Sequence, residues 1–91
     1  TITWEEVLKI EEAFILDVRT EDEYKYGHIE NAMHIPVDEL RENLNKLPTD
    51  KKIYVYCHTG LRSYIATRIL KDNGFDSVNI MGGFYFYNST K

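Results

Sequence analysis

The apolar positions along this chain fall into short blocks whose spacing alternates between two kinds. Ala13 to Val18 (AFILDV) and Ile53 to Cys57 (IYVYC) are compact apolar runs, the second β-branched and aromatic, as expected of strands buried on both faces. Met33 to Pro36 (MHIP) reads as a brief extended piece closed by a proline, and Ser77 to Ile80 (SVNI) as a last short strand. Between these blocks the spacing turns helical. Val37, Leu40, Leu44 and Leu47 stand at i, i+3, i+7 and i+10, one apolar stripe with charges elsewhere. In residues 63–74 (SYIATRILKDNG), Ile65, Ala66, Ile69 and Leu70 share a face, and Gly74 falls where a left-handed C-cap belongs. Thr3 to Glu6 and Thr20 to Glu23 each have the spacing of a capping box. The first opens a short helix through Ile10, and the second a helix closed by Gly27.

This alternation predicts an α/β fold: a small parallel sheet with helices on both faces, because parallel strands need crossovers. Ninety-one residues leave room for one core, so residues 1–91 form a single domain. The 43% of hydrophobic residues, with seven Tyr and four Phe besides Trp4, supply that core without staples. A net charge of -4 argues against nucleic acid or an anionic membrane as partner. No apolar run approaches the ~20 residues that span a bilayer, and no secretory leader is visible. One cysteine excludes an internal disulfide and suits a reducing, cytoplasmic setting. The start at Thr1 rather than Met suggests a domain cut from a larger protein.

Open parallel sheets bind ligands beyond the carboxyl ends of their strands, and Cys57 ends the most hydrophobic strand. From Cys57 to Arg62 the chain must turn from strand into helix. Successive N–H groups in such a turn form an anion-binding nest, and the helix adds the positive end of its dipole. Arg62 adds a full charge, so the thiol is expected to ionise below its free value of ~8.5. Gly60 allows a positive φ, while Thr59 and Ser63 offer hydroxyls to the sulfur or a substrate. A lone cysteine at a strand end is most often a small buried hydrophobe. Here the junction, Gly60 and Arg62 together outweigh that reading and point to an anion-cradled nucleophile.

The segment CHTGLRSY resembles the active-site loop of rhodanese domains. DVRTEDEYKYGHIENAMHIP is similar to a second block of that family, matched at Asp17, Arg19, Glu23, Tyr24, Gly27, His28, Ile29, Ala32, Ile35 and Pro36. MGGF is similar to its closing Gly-Gly element. The resemblance implies a rhodanese-like fold and sulfurtransferase chemistry. Cys57 would attack the outer sulfur of thiosulfate or a low-molecular-weight persulfide and carry it as a persulfide to a thiol or cyanide. Arg62 would steer the anionic donor. His58, Thr59, Gly60, Leu61 and Ser63 would bind substrate, largely through loop amides that hold the terminal sulfur as its charge develops. No bound cofactor is implied. The stretch from Val55 to Tyr87 further resembles the C-terminal rhodanese domain of coenzyme A disulfide reductases, which implies a fused upstream flavoprotein domain. No Gly-x-Gly-x-x-Gly for a flavin or nicotinamide is present in these residues.

The remaining polar residues have plainer readings. His58 suits a surface role that tunes donor choice, since a thiolate already formed needs no base. The resemblance puts His28 in a turn whose geometry it fixes, and His34 is packed or half-exposed at a strand end. Neither Cys57 nor any histidine has paired metal-ligand spacing, so no metal is expected. Asp17 and Arg19 straddle a strand end and either support the active loop or form an ordinary ion pair with Glu23. The aromatic run Phe84 to Tyr87 closes over the site, packs on a partner domain or covers the core. Two rival functions stand beside sulfurtransfer. Cysteine-dependent phosphatases of related fold use a longer loop, whereas only four residues separate Cys57 from Arg62 here. A non-catalytic module that docks or senses sulfur species in a larger reductase would need neither Cys57 nor Arg62.

Overall fold

The computed structural model describes residues 2–58 and 61–81. Helix α1 (Trp4–Leu8) opens the chain, followed by β1 (Phe14–Asp17), α2 (Glu21–Tyr26) and β2 (Met33–His34). A 3-10 helix (Val37–Lys46) leads to β3 (Ile53–Tyr56), α3 (Leu61–Asp72) and β4 (Ser77–Asn79). The four strands form one sheet in the order β2-β1-β3-β4, and every pairing is parallel. The α/β architecture expected from the alternating blocks is therefore the observed one. No helix among the described residues is long and apolar enough to cross a membrane.

Strand periodicity sorts the side chains into two cores. Leu16, Val18, Ile53, Val55 and Cys57 face α3 and the 3-10 helix, where Leu40, Leu47, Ala66, Ile69 and Leu70 meet them. Ile15, Tyr54 and Tyr56 point to the opposite face and pack with Trp4, Val7, Ile29 and Ile80. Helices thus cover both faces, and the two-residue period assigns Cys57 to the α3 side and Tyr56 to the α1 side.

Both capping boxes form. Thr3 Oγ1 accepts from the Glu6 amide while Glu6 accepts from the Thr3 amide, and Thr20 and Glu23 do the same at α2. Helix α1 ends at Leu8, short of the expected Ile10. The stripe at Val37, Leu40, Leu44 and Leu47 packs on the core, but on a 3-10 backbone rather than an α-helix. The reason lies in the spacing. Val37 and Leu40, and again Leu44 and Leu47, are one three-residue turn apart, so each pair fits a 3-10 turn. The one residue too many between the pairs is absorbed at Asn43, whose φ of -121° and ψ of 17° break the helix.

Helix α3 buries Ser63, Ala66, Thr67, Ile69 and Leu70. Ile65 does not join them: it is 47% exposed, because the contact stripe runs through 63, 66, 67 and 70, and residue 65 is rotated off it. The helix ends at Asp72 and is closed off by Gly74, whose φ is +87°, with Phe75 N–H donating to Leu70 C=O and Gly74 N–H to Lys71 C=O.

A Cβ at Gly74 would meet nothing within 4 Å, so only the backbone conformation opposes a side chain there. Gly74→Ala is expected to cost about 1 kcal/mol and to lower the melting midpoint by roughly 4–8 °C for a domain of this size. Thermal unfolding followed by circular dichroism checks this, and an unchanged midpoint would refute the left-handed cap.

Candidate active site

Residue 57 follows the last residue of β3, and α3 begins at Leu61, so the turn between them sits at the carboxyl edge of the sheet. Cys57 is 1% exposed, its sulfur held on the α3 side among the apolar residues of that core. A polar group nevertheless reaches it. Cys57 Sγ stands 3.5 Å from Ser63 Oγ, to which the thiol donates, and the Ser63 hydroxyl donates onward to Asn79 Oδ1. Ser63 comes from the first turn of α3, and Asn79 ends β4, paired in register with Val55. His58 and Leu61 are exposed, on the solvent side of the turn. Thr59 and Gly60, and with them their part in the expected ring of amides, lie outside the described residues, as do Gly82, Gly83 and the aromatic run from Phe84 to Tyr87.

The Arg62 guanidinium is gripped end-on by the Glu23 carboxylate, with Nη1–Oε1 at 2.6 Å and Nη2–Oε2 at 2.9 Å. Such a two-point pair fixes orientation as well as charge. Hydrogen bonding to Arg62, against the opposing effect of burial and with help from Thr20, brings the Glu23 carboxyl down to about 2. The same bond raises Arg62 against the opposing effect of burial, and the Asp17 charge acts on it in the same direction. Arg62 also walls a groove of about 370 Å³ that runs past Val18, Ile65 and Ile69 to Asp38 and Arg41.

The alternative pairing of Arg19 with Glu23 is therefore overturned. Arg19 turns back onto Asp17, two residues away: its backbone N–H donates to Asp17 Oδ1 at 2.9 Å and its Nη2 to Asp17 Oδ2 at 2.8 Å. Nη2 also donates to the Gly27 carbonyl at 2.6 Å. The Tyr56 hydroxyl donates to Asp17 Oδ2 at 2.7 Å and accepts from the Ile29 amide at 3.1 Å. Asp17 is fully buried and Arg19 2% exposed, so this is an interior cluster. Burial pulls Arg19 down, but the Asp17 hydrogen bonds and charge outweigh it and leave the group raised. Burial likewise drives the Tyr56 hydroxyl upward, so it stays protonated and able to donate to Asp17. Asp17 and Arg19 thus meet Tyr56, on the α1 side, and fix the residue just before Cys57.

Two histidines sandwich Tyr24: His28 stacks at 3.8 Å between centroids and His34 at 4.3 Å. A ring nitrogen of His28 lies 2.9 Å from the Tyr24 carbonyl, and one of His34 lies 2.8 Å from that of Arg19. Both rings brace the backbone around the Asp17 cluster. Tyr56, Glu23 as the partner of Arg62, and Asn79 were not singled out from the sequence. A tyrosine in a buried strand needs a partner for its hydroxyl, which is the signal Tyr56 carried. An asparagine inside a short strand carries a similar one, since a buried amide must be hydrogen-bonded. Glu23 reads from the sequence as a capping residue and as a counter-ion for Arg19, and neither reading points to Arg62.

A family model described as the rhodanese-like domain matches residues 3–89. The chain is 43% identical over 70 residues to a Bacillus subtilis (strain 168) protein named as a candidate sulfur carrier, YrkF, covering 76% of this chain and 38% of that one. It spans between 24% and 58% of the length of the curated relatives it matches. Among solved structures, reduced CoADR-RHD of Bacillus anthracis superposes with a TM-score of 0.93 at 40% identity, over 98% of this chain and 16% of that one. An NAD-dependent persulfide reductase from A. fulgidus gives a TM-score of 0.78 at 44% identity, over 94% of this chain and 15% of that one.

Two outcomes follow from the site's electrostatics. Removing the Tyr56 hydroxyl leaves Asp17 Oδ2 and the Ile29 amide each short of a partner in the interior. Tyr56→Phe is therefore expected to cost about 1–3 kcal/mol in urea denaturation; a loss below about 0.5 kcal/mol would contradict this reading. The Glu23 carboxyl lies below its ordinary value of 4.5, so its stabilising contribution is complete above pH 4.5 and is lost as pH falls toward 2. With both partners about a third exposed, Glu23→Gln should cost on the order of 1 kcal/mol at neutral pH. It should also flatten the loss of stability between pH 4.5 and 2, as read from urea denaturation across that range.

Proposed function

The chain belongs to the rhodanese-like domain family, and on that premise we propose that it is a sulfurtransferase whose carrier is Cys57. The observation that carries this reading is the position of the thiol. It stands at the carboxyl end of a central parallel strand, against a serine hydroxyl and within electrostatic range of an arginine. In the first half-reaction the Cys57 thiolate attacks the outer sulfur of thiosulfate. A Cys–S–S⁻ persulfide forms and sulfite leaves with the electron pair of the broken S–S bond. In the second, a thiolate or cyanide attacks the outer persulfide sulfur, yielding a new persulfide or thiocyanate and regenerating the thiolate. A low-molecular-weight persulfide can replace thiosulfate, with its parent thiolate as leaving group. This is covalent catalysis in two steps and needs no bound cofactor.

Within that scheme Arg62 orients the anionic donor at the mouth of the groove while Glu23 holds the guanidinium in one plane. His58 and Leu61, both exposed, form the rim through which the donor approaches, Thr59 and Gly60 are proposed to share in binding it, and Ser63 bonds the reacting sulfur. Asp17 and Arg19 act from behind, by holding Tyr56. The domain delivers sulfur within a longer chain, upstream of which a flavin-dependent reductase domain sits. Its short share of the reductase chains it superposes on supports that placement. A carrier that works through a single thiol suits the cytoplasm, where thiols stay reduced. The 1% exposure of Cys57 also favours a second reading, a module that docks or senses sulfur species without transferring them.

Intact-protein mass spectrometry after incubation with thiosulfate or glutathione persulfide separates the two. The native chain is expected to gain one sulfur atom, removed by cyanide, and Cys57→Ser to gain none. A native chain that stays unmodified by both donors would overturn sulfurtransfer and leave the docking module.

A further inference from the structure

A serine hydroxyl has one proton to give, and in this structure Ser63 gives it away from the sulfur. The chain of donors runs from Cys57 Sγ–H to Ser63 Oγ and from Ser63 Oγ–H to Asn79 Oδ1. That direction suits a protonated thiol. A thiolate or a persulfide anion has no proton to donate, and a hydroxyl stabilises it only when turned toward it. Ser63 is fully buried, so the direction of this one bond carries weight at the sulfur.

Asparagine is suited to the reversal. Its amide carries an acceptor and a donor in the same plane, at nearly the same reach. The Asn79 backbone is fixed: it pairs in register with Val55, the following amide of Ile80 donates to Val55 C=O at 2.8 Å, and Asn79 C=O accepts from Ile2 at 3.1 Å. A half-turn of the amide about its Cβ–Cγ bond puts Nδ2 where Oδ1 stands. We propose that Asn79 is a positioning residue that reverses the Asn79–Ser63–Cys57 hydrogen bonds as the sulfur gains and loses charge during turnover. In the thiol state Oδ1 accepts from Ser63. Once the thiol proton has passed to solvent, Nδ2–H donates to Ser63 Oγ and the Ser63 hydroxyl donates to the anionic sulfur. Ser63 and Asn79 keep all their own protons; only their orientations change. The inference rests on the sulfurtransferase reading for its place in catalysis.

Charged groups also stand elsewhere around the sulfur. Helix α3 presents Arg62, which is paired with Glu23 of α2; the end of β1 brings Asp17 with Arg19; Tyr56 and His58 flank Cys57 in sequence. Asp38 and Arg41 of the 3-10 helix lie along the groove beyond Arg62, and β4 presents no titratable side chain.

The test compares Asn79→Asp, Asn79→Leu and the wild type, each also combined with Ser63→Ala. The readout is the rate of Cys57 alkylation by iodoacetamide against pH, which follows the thiolate and does not require sulfur transfer. Aspartate can only accept, so it locks the hydroxyl away from the sulfur; the midpoint should rise by about one pH unit, roughly a tenfold loss of thiolate below it. Leucine neither accepts nor donates and leaves the hydroxyl free to turn, so its midpoint should move far less. In the Ser63→Ala background most of the aspartate shift should vanish. Equal shifts for Asp and Leu, no shift for Asp, or a full Asp shift persisting without the Ser63 hydroxyl would each overturn the proposal, the last because it marks simple charge repulsion. Sulfur loading of the same proteins by mass reports separately on transfer, so a native chain that cannot load refutes that function without obscuring the alkylation result.

Discussion

The Asp17 carboxylate, buried where β1 ends, receives Arg19 through its backbone and side chain and Tyr56 through its hydroxyl. Those bonds tie three parts of the chain: the end of β1, the end of β3, and, through Gly27 and Ile29, the turn after α2. A charge this deep is tolerable only when paired and fully hydrogen-bonded, and breaking such a pair typically costs 3–5 kcal/mol. The cluster therefore does little to raise net stability over an apolar core of equal volume. What it contributes is position. With Tyr56 pinned from one side of the sheet, Cys57 is delivered to the other at a fixed height above the strand ends.

A second coupling works at the surface of the same region. Glu23 closes the capping box of α2 with Thr20 and simultaneously grips Arg62 at the start of α3. One carboxylate thus links the beginnings of two helices that are far apart in sequence. The pair lends Arg62 a set orientation and also shares its charge, so an anion arriving at the groove meets a guanidinium already partly neutralised. In the proposed reading, long-range steering by this residue is correspondingly modest, and its part is directed hydrogen bonding at close range.

Around the sulfur, apolar packing and a short polar relay coexist. The packing excludes water, which strengthens each hydrogen bond that reaches the thiol. The relay through Ser63 to Asn79 extends from α3 to the neighbouring strand, so the surroundings of Cys57 depend on the register of β3 against β4.

Much of this was legible in the residues. The apolar blocks and their periods determined the parallel α/β architecture, since buried strands and amphipathic helices leave unambiguous spacings. The two capping boxes and the Gly74 stop were local, written within three or four residues, and local signals survive folding. The place of Cys57 at the end of a central strand was legible for the same reason. Where the reading fell short, the deciding contacts joined distant segments. The 3-10 path of residues 37–46 was set by fitting two pairs of apolar side chains to the core. The exposure of Ile65 depended on which stripe of α3 the sheet accepted. Above all, the exchange of partners among Asp17, Arg19, Glu23, Tyr56 and Arg62 could be resolved only in three dimensions. A charge chooses its counter-ion by distance and burial, and a linear sequence records neither.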